Sequence, residues 1–270
     1  MDVLQWRSMD TINPSNLGGA RHQLHSAVQW LGRMACSYRS AEPDDRNLAL
    51  LWNSERNAIA TQELPRQLGM ELRLPELILQ FTEGGVPVRH EFDTEGHTPA
   101  HVEAWILVEL LHRNVDRDRF SKFLPYDVTA LMTGDAVEFT PETYREELDA
   151  LASWYGTAAA VIREACSGTA LGEPRIWPHD LSLEMLVPLI DVDAAVERAV
   201  RVGFSPGIGP SSEPGFYVAR QKREAAGVRP LDAVLTLREL QSDRANVEII
   251  LGFLRRSITA ARTQTASRSA

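Results

Sequence analysis

The chain has 270 residues, 44% hydrophobic and 24% charged, a balance typical of a soluble globular protein and not of a disordered one. Acidic residues outnumber basic ones by 37 to 28, so the average surface field repels phosphate backbones and anionic lipids. We therefore expect neither nucleic acid nor a membrane as a partner. The two cysteines lack metal or redox spacing, and no signal peptide or spanning apolar run is present, which favours a cytoplasmic location.

The first half of the sequence predicts a helix, extended segments and a second helix, in that order. Residues 1–19 are predicted to form a loop, and apolar residues three and four apart predict a helix from about residue 20 to Tyr38. Gly84-Gly85 predicts a hairpin, and Thr98-Pro99 predicts a cap and first turn for the second helix. The three predicted extended segments are Leu48–Trp52 followed by Ala58–Thr61, then Met70–Phe81, and then Val86–Phe92.

The second half repeats this order. A helix is predicted to begin near Thr140-Pro141, and a last helix carries its apolar face between Val247 and Ile258. Residues 195–204 fit either a strand or a helical turn. The other predicted strands are Arg175–Leu186 and Gly215–Val218.

These patterns predict an α+β fold in which two helix-strand-strand-strand-helix units form a mostly antiparallel sheet with helices packed on it. The predicted organisation is a single domain over residues 20–258, composed of two pseudo-repeats at 20–125 and 140–258 if the symmetry holds. Residues 259–270, rich in Ser, Thr, Ala and Arg, are predicted to be a flexible tail.

Familiar catalytic motifs are absent. The sequence has no Gly-x-Ser-x-Gly elbow, P-loop or Gly-x-Gly-x-x-Gly fingerprint, so we predict no cofactor. His22 and His25 lie on one side of a predicted helix, as metal ligands would, but no third ligand is nearby in the sequence. His90 and His112 are predicted to lie at the surface.

Three ordered motifs carry a resemblance to a known family. They are Trp-Pro-His-Asp at 177–180, Gly-Phe-Ser-Pro-Gly at 203–207 and Glu-Pro-Gly-Phe-Tyr-Val at 213–218. They resemble a family of uncharacterised, mainly bacterial proteins grouped as a domain of unknown function. Its signatures are Trp-Pro-His-His-Phe-Asp, Gly-Phe-Ser-Pro-Gly-Asp and Glu-Pro-Tyr-Phe-Tyr-Val. The resemblance extends over about residues 20–220, through features such as Gln23-Leu-His25, and implies no known activity.

The departures from the family pattern remove groups that could bind a metal. Asp180 replaces the second histidine, Ile208 replaces an aspartate and Gly215 replaces a tyrosine. If residues from 179 onward form a strand, His179 and Asp180 point to opposite faces and cannot both bind one ion without a bulge. Packing is the alternative role of this stretch, with Trp177-Pro178 bending the start of a strand and His179 holding a backbone group.

Two functional hypotheses follow. The first is a non-catalytic binding or interaction protein whose partner is an unknown small molecule or protein. Its candidate ligand-binding residues are His25, Trp177, His179, Asp180, Ser205, Glu213 and Tyr217. The alternative is a metal-dependent, hydrolase-like enzyme with a degenerate site made of His25, His179 and Asp180, so enzymatic activity is left open.

Overall fold

A computed structural model describes residues 7–170, 172–189, 199–220, 231–240 and 246–269. The fold is α+β, and the described residues form two five-stranded antiparallel sheets with helices packed on them. The order helix, strands, helix occurs twice, with five strands each time where the sequence predicted three. None of the described helices is long and apolar enough to cross a membrane.

The chain forms two compact units whose bounds differ from the predicted halves. The N-terminal unit comprises Ile12–Ala152 and Ile176–His179, and the C-terminal unit comprises Met1–Thr11, Ser153–Arg175 and Asp180–Ala270.

The N-terminal unit contains the first sheet, in the strand order β1-β2-β3-β4-β5. Its elements are α1 (Pro14–Tyr38), β1 (Leu51–Asn53), β2 (Ala58–Ala60), β3 (Leu68–Arg73), β4 (Ile78–Glu83), β5 (Val86–Phe92) and α2 (Pro99–His112). The predicted loop over residues 1–19 is wrong from Pro14 onward, because the Asn13 side chain caps α1 by accepting from the Ser15 N–H at 3.0 Å.

Two of the predicted strand segments differ in this unit, and the hairpin and second helix are confirmed. The predicted run 70–81 is two strands, β3 and β4, separated by a turn in which Leu77 has a φ of 54°. The predicted strand Leu48–Trp52 is also shifted, because a 3-10 helix occupies Pro43–Leu48 and β1 begins only at Leu51. Gly84 and Gly85 have φ values of 57° and 78°, which favour glycine in a tight hairpin.

The C-terminal unit contains the second sheet, in the strand order β10-β9-β8-β7-β6. The elements of this half are α3 (Arg145–Ala165), β6 (Arg175–Ile176), β7 (Leu183–Pro188), β8 (Ala199–Pro206), β9 (Pro214–Arg220), β10 (Ala233–Thr236) and α4 (Asn246–Ser269).

Here too the sequence prediction needs correction. The predicted strand 175–186 is interrupted by a turn at residues 178–180, so His179 and Asp180 are turn residues and not neighbours on a strand. The predicted flexible tail is helical as far as Ser269. The strand alternative is correct for residues 199–204, and residues 195–198 lie outside the described part of the chain.

The two faces of each sheet differ in chemistry. In the first sheet, the Phe81 ring contacts Trp105 of α2 at a centroid distance of 5.4 Å. In the second, the Phe204 ring contacts Tyr155 of α3 at 5.6 Å. Because successive residues of a strand point to opposite faces, Glu71 of β3 and Glu184 of β7 lie on the faces away from these aromatic contacts.

Candidate ligand-binding site

The predicted site residues are divided between the two units. The N-terminal unit holds His25, Trp177 and His179, and the C-terminal unit holds Asp180, Ser205, Glu213 and Tyr217.

In the N-terminal unit, α1 holds the turn that contains the Trp-Pro-His motif. The His25 Nε2 lies 3.2 Å from the Pro178 carbonyl oxygen and 3.1 Å from that of His179. Because a carbonyl only accepts, Nε2 carries the proton and donates. Gln29 donates to the Pro178 carbonyl at 2.7 Å and accepts from the Tyr126 hydroxyl at 2.9 Å. These bonds give His25 and Gln29 a positioning role at the turn.

The aromatic rings around His179 form a small surface cluster. The His179 side chain is exposed, and its ring lies 5.9 Å from that of Tyr126 and 6.1 Å from that of Trp177. Gly32 of α1 leaves room for this arrangement, because a Cβ there would lie 2.5 Å from the Tyr126 hydroxyl oxygen.

Two histidines outside the motif, His90 and His112, lie near the same glutamate, which their spacing in the sequence did not indicate. His90 and His112 are exposed, as predicted. Both approach one buried carboxylate, with Nδ1 atoms 3.6 Å and 3.7 Å from the Glu109 Oε1. Arg113 donates to the other oxygen of Glu109 at 2.6 Å. The helical spacing between Glu109 and His112 could have indicated half of this group.

In the C-terminal unit, three of the four predicted residues have local partners. Asp180 accepts from the backbone N–H of Ser182 at 2.9 Å and from its hydroxyl at 2.7 Å. Ser205 is fully buried and donates to the Ile208 carbonyl at 2.9 Å. Glu213 pairs with Arg238 at 3.4 Å. The first two residues therefore organise turns.

Tyr217 of β9 belongs to a buried polar cluster. It is fully buried, and its hydroxyl donates to Glu184 of β7. The ring crosses the intervening strand at Gly203, where a Cβ would lie 2.6 Å from the tyrosine Cζ. Burial, and then the nearby carboxylates of Glu184 and Asp180, raise the pKa of Tyr217 well above its ordinary value. The hydroxyl therefore stays protonated and remains a donor.

Arg201 of β8 completes this cluster. Its Nη1 donates to the Glu184 Oε1 at 2.8 Å, and the side chains of Arg201 and Glu184 are 13% and 8% exposed. The Arg201 Nε and Nη2 are buried, and no described residue accepts from either. Sequence reasoning missed both Glu184 and Arg201. The available signal was a single charge inside each of two apolar strands, Leu183–Pro188 and Ala199–Pro206.

Metal-binding groups are not found in the described ranges. Within them, no three His, Cys, Asp or Glu side chains are grouped so that they could hold a metal ion. The alternative ligand set is divided between the two units, with His25 and His179 in one and Asp180 in the other, and it stays a prediction.

Comparison with known proteins adds no relative. No family model, curated protein or solved structure matches this chain. The resemblance drawn from the three motifs stays a prediction.

Proposed function

We propose that this chain is a binding protein whose C-terminal unit binds a small molecule through a carboxylate group at Arg201. The observation that carries the proposal is the buried Nε and Nη2 of Arg201, which have no acceptor among the described residues. A buried donor without an acceptor costs free energy, about 1–3 kcal/mol and more for a charged group. A ligand oxygen at each nitrogen would remove that cost.

The two nitrogens match a specific ligand geometry. In a guanidinium, Nε and Nη2 lie on one edge and direct their hydrogens in parallel, which suits the two oxygens of one carboxylate. Shielding from solvent strengthens such bonds, because the local dielectric constant is low. On β9 the cross-strand neighbour of Arg201 is Ala219, a small side chain on the same face of the sheet.

The local charges favour a carboxylate over a phosphate. Arg201 and Glu184 neutralise each other, so a carboxylate adds one negative charge to the cluster. A phosphate would add about two at neutral pH, close to Glu184. The protonated Tyr217 hydroxyl donates to the same Glu184 oxygen as Arg201 Nη1, and the Nε and Nη2 edge of Arg201 is not used by either residue.

Isothermal titration calorimetry with acetate, propionate and benzoate, and with inorganic phosphate at matched ionic strength, tests the proposal. We expect at least one carboxylate to bind more tightly than phosphate. Arg201→Lys keeps a positive charge against Glu184 but loses the paired donors, so its affinity should fall about tenfold or more.

Arg255→Lys is the matched control, because Arg255 forms an exposed pair with Glu164 in the same unit. Its affinity should equal that of the unmodified chain. Equal binding by Arg201→Lys, or no binding of any carboxylate by the folded protein, contradicts the proposal.

A further inference from the structure

Phe123, in the N-terminal unit, projects from the surface. Its side chain is 84% exposed, the largest value among the exposed large hydrophobic residues described. The Ser121 hydroxyl makes two hydrogen bonds to the backbone of Phe123. It donates to the Phe123 carbonyl at 2.9 Å and accepts from the Phe123 N–H at 3.1 Å. The Ser121 N–H in turn donates to the Ser37 hydroxyl of α1 at 2.8 Å. These hydrogen bonds hold the backbone from which the Phe123 side chain projects.

A groove lies at Lys122, the residue that precedes Phe123. It has a volume of about 340 Å³ and is lined by Glu103, Leu107, Arg117, Asp118, Phe120 and Lys122. Lys122 directly precedes Phe123 and pairs with Glu103 of α2 at 2.7 Å, which joins the projecting segment to the groove. An apolar cavity of about 150 Å³ takes a benzene ring, so this groove is large enough for a phenyl group.

The apolar surface continues along α2. Val108 and Leu111 are 48% and 54% exposed, whereas residues on the opposite side of the same helix, such as Ile106 and Leu110, are fully buried. A helix that is apolar on its outward side as well usually packs against a further partner.

We propose that this face is the interface of a twofold dimer, in which Phe123 of each copy enters the Leu107 groove of the other. A twofold interface uses the same patch on both copies, so it needs a projection and a matching recess within one surface. Phe123 and the adjacent groove meet that requirement. Buried aromatic residues of this kind are frequent anchors of protein interfaces.

Charge also favours a second copy as the occupant. The whole chain carries a formal charge of -9, which would oppose association of two copies through most of its surface. The groove is an exception, because it is lined by two acidic and two basic residues. Lys122 and Glu103 already pair within one chain, so Arg117 and Asp118 are the groove charges that can meet charges of the opposite sign on the second copy.

The mass of the full chain in solution, measured by sedimentation equilibrium from about 1 to 200 µM, tests this proposal. We expect a concentration-dependent dimer. Phe123→Ser should raise its dissociation constant about tenfold or more, and Leu107→Glu should do the same by charging the groove. Val86→Ser is the control, because Val86 is a 66% exposed apolar residue on β5 of the same unit. It should leave the dimer unchanged.

A mixture of the two variants gives a second, independent result. In a mixed dimer, the intact Phe123 of the Leu107→Glu copy meets the intact groove of the Phe123→Ser copy. One of the two contacts is restored, so mixed dimers should form at lower concentration than either variant dimer. A monomer at every concentration, or a Phe123→Ser dimer as tight as the original, overturns the proposal. So does a mixture that behaves as the average of its parts.

Discussion

Both sheets bury a glutamate that pairs with an arginine, but the two arginines use different nitrogens of the guanidinium for the pair. Each buries a glutamate on the face away from its aromatic helix contact and pairs it with an arginine. In the first sheet, Arg56 donates its Nε and Nη2 to Glu71 Oε2, at 3.0 Å and 2.6 Å. In the second, Arg201 donates only Nη1 to Glu184, and the Tyr217 hydroxyl shares the same oxygen.

The buried atoms that lack a hydrogen-bond partner therefore differ between the two sheets. The first sheet retains an acceptor, since Glu71 Oε1 is buried and receives no hydrogen bond from any described residue. The second retains two donors, the Nε and Nη2 of Arg201. The edge of the guanidinium that pairs with the glutamate therefore decides whether the buried group left over is an acceptor or a pair of donors.

The largest expected effect comes from removing each glutamate. In Glu184→Ala, Arg201 keeps a buried charge with no partner, so the free energy of unfolding should fall by about 3–5 kcal/mol. In Glu71→Ala the loss should be smaller, about 1–3 kcal/mol, because the side chain of Arg56 is 30% exposed and can turn to water. Urea denaturation of both variants measures the difference. A larger loss for Glu71→Ala would refute the contrast between the two sheets.

Local signals in the sequence were sufficient for much of the fold. Gly84-Gly85 and Thr98-Pro99 each specify a conformation through a few adjacent residues, and both predictions are confirmed. The cluster around Glu184 was not predictable in this way. It depends on the antiparallel register that places Glu184 and Tyr217 on either side of Gly203, and these two residues are separated by 33 positions in the chain.

The Trp-Pro-His motif shows a similar limit. Its apolar start suggested one continuous strand, but the chain turns at residues 178–180 before β7 begins. The turn is held by Gln29 and His25, which are about 150 residues earlier in the sequence. No local pattern around residue 178 could show those bonds.

A smaller effect is expected from filling the glycine on each middle strand. In Gly203→Ala the new methyl would lie 2.6 Å from the Tyr217 ring, which is fully buried and cannot withdraw, so we expect a loss of about 1–3 kcal/mol. Gly69→Ala is the matched change in the first sheet. There the methyl would meet the Thr82 Oγ1 at 2.5 Å, and a threonine side chain can rotate away. Thermal unfolding compares the two, and equal losses would show that the Tyr217 ring is not fixed across β8.

The smallest expected change at neutral pH is that of Tyr217→Phe, about 1 kcal/mol, because Glu184 still accepts from Arg201. The more informative effect of this variant is on the stability in alkaline solution. The pKa of Tyr217 is raised above its ordinary value of 10, first by burial and then by Glu184 and Asp180, so above pH 10 the folded chain binds more protons than the unfolded one. This contribution to stability is complete below pH 10 and falls as the pH rises, by about 1.4 kcal/mol per pH unit for one tyrosine.

Tyr155 adds a similar dependence, because burial and Asp180 raise its pKa as well. Unfolding free energies measured between about pH 8 and 11 should therefore decline less steeply in Tyr217→Phe than in the original chain, without becoming flat. An unchanged slope would mean that the Tyr217 hydroxyl is not held in the neutral form, and the arginine edge would then lose the partner that keeps Glu184 in place.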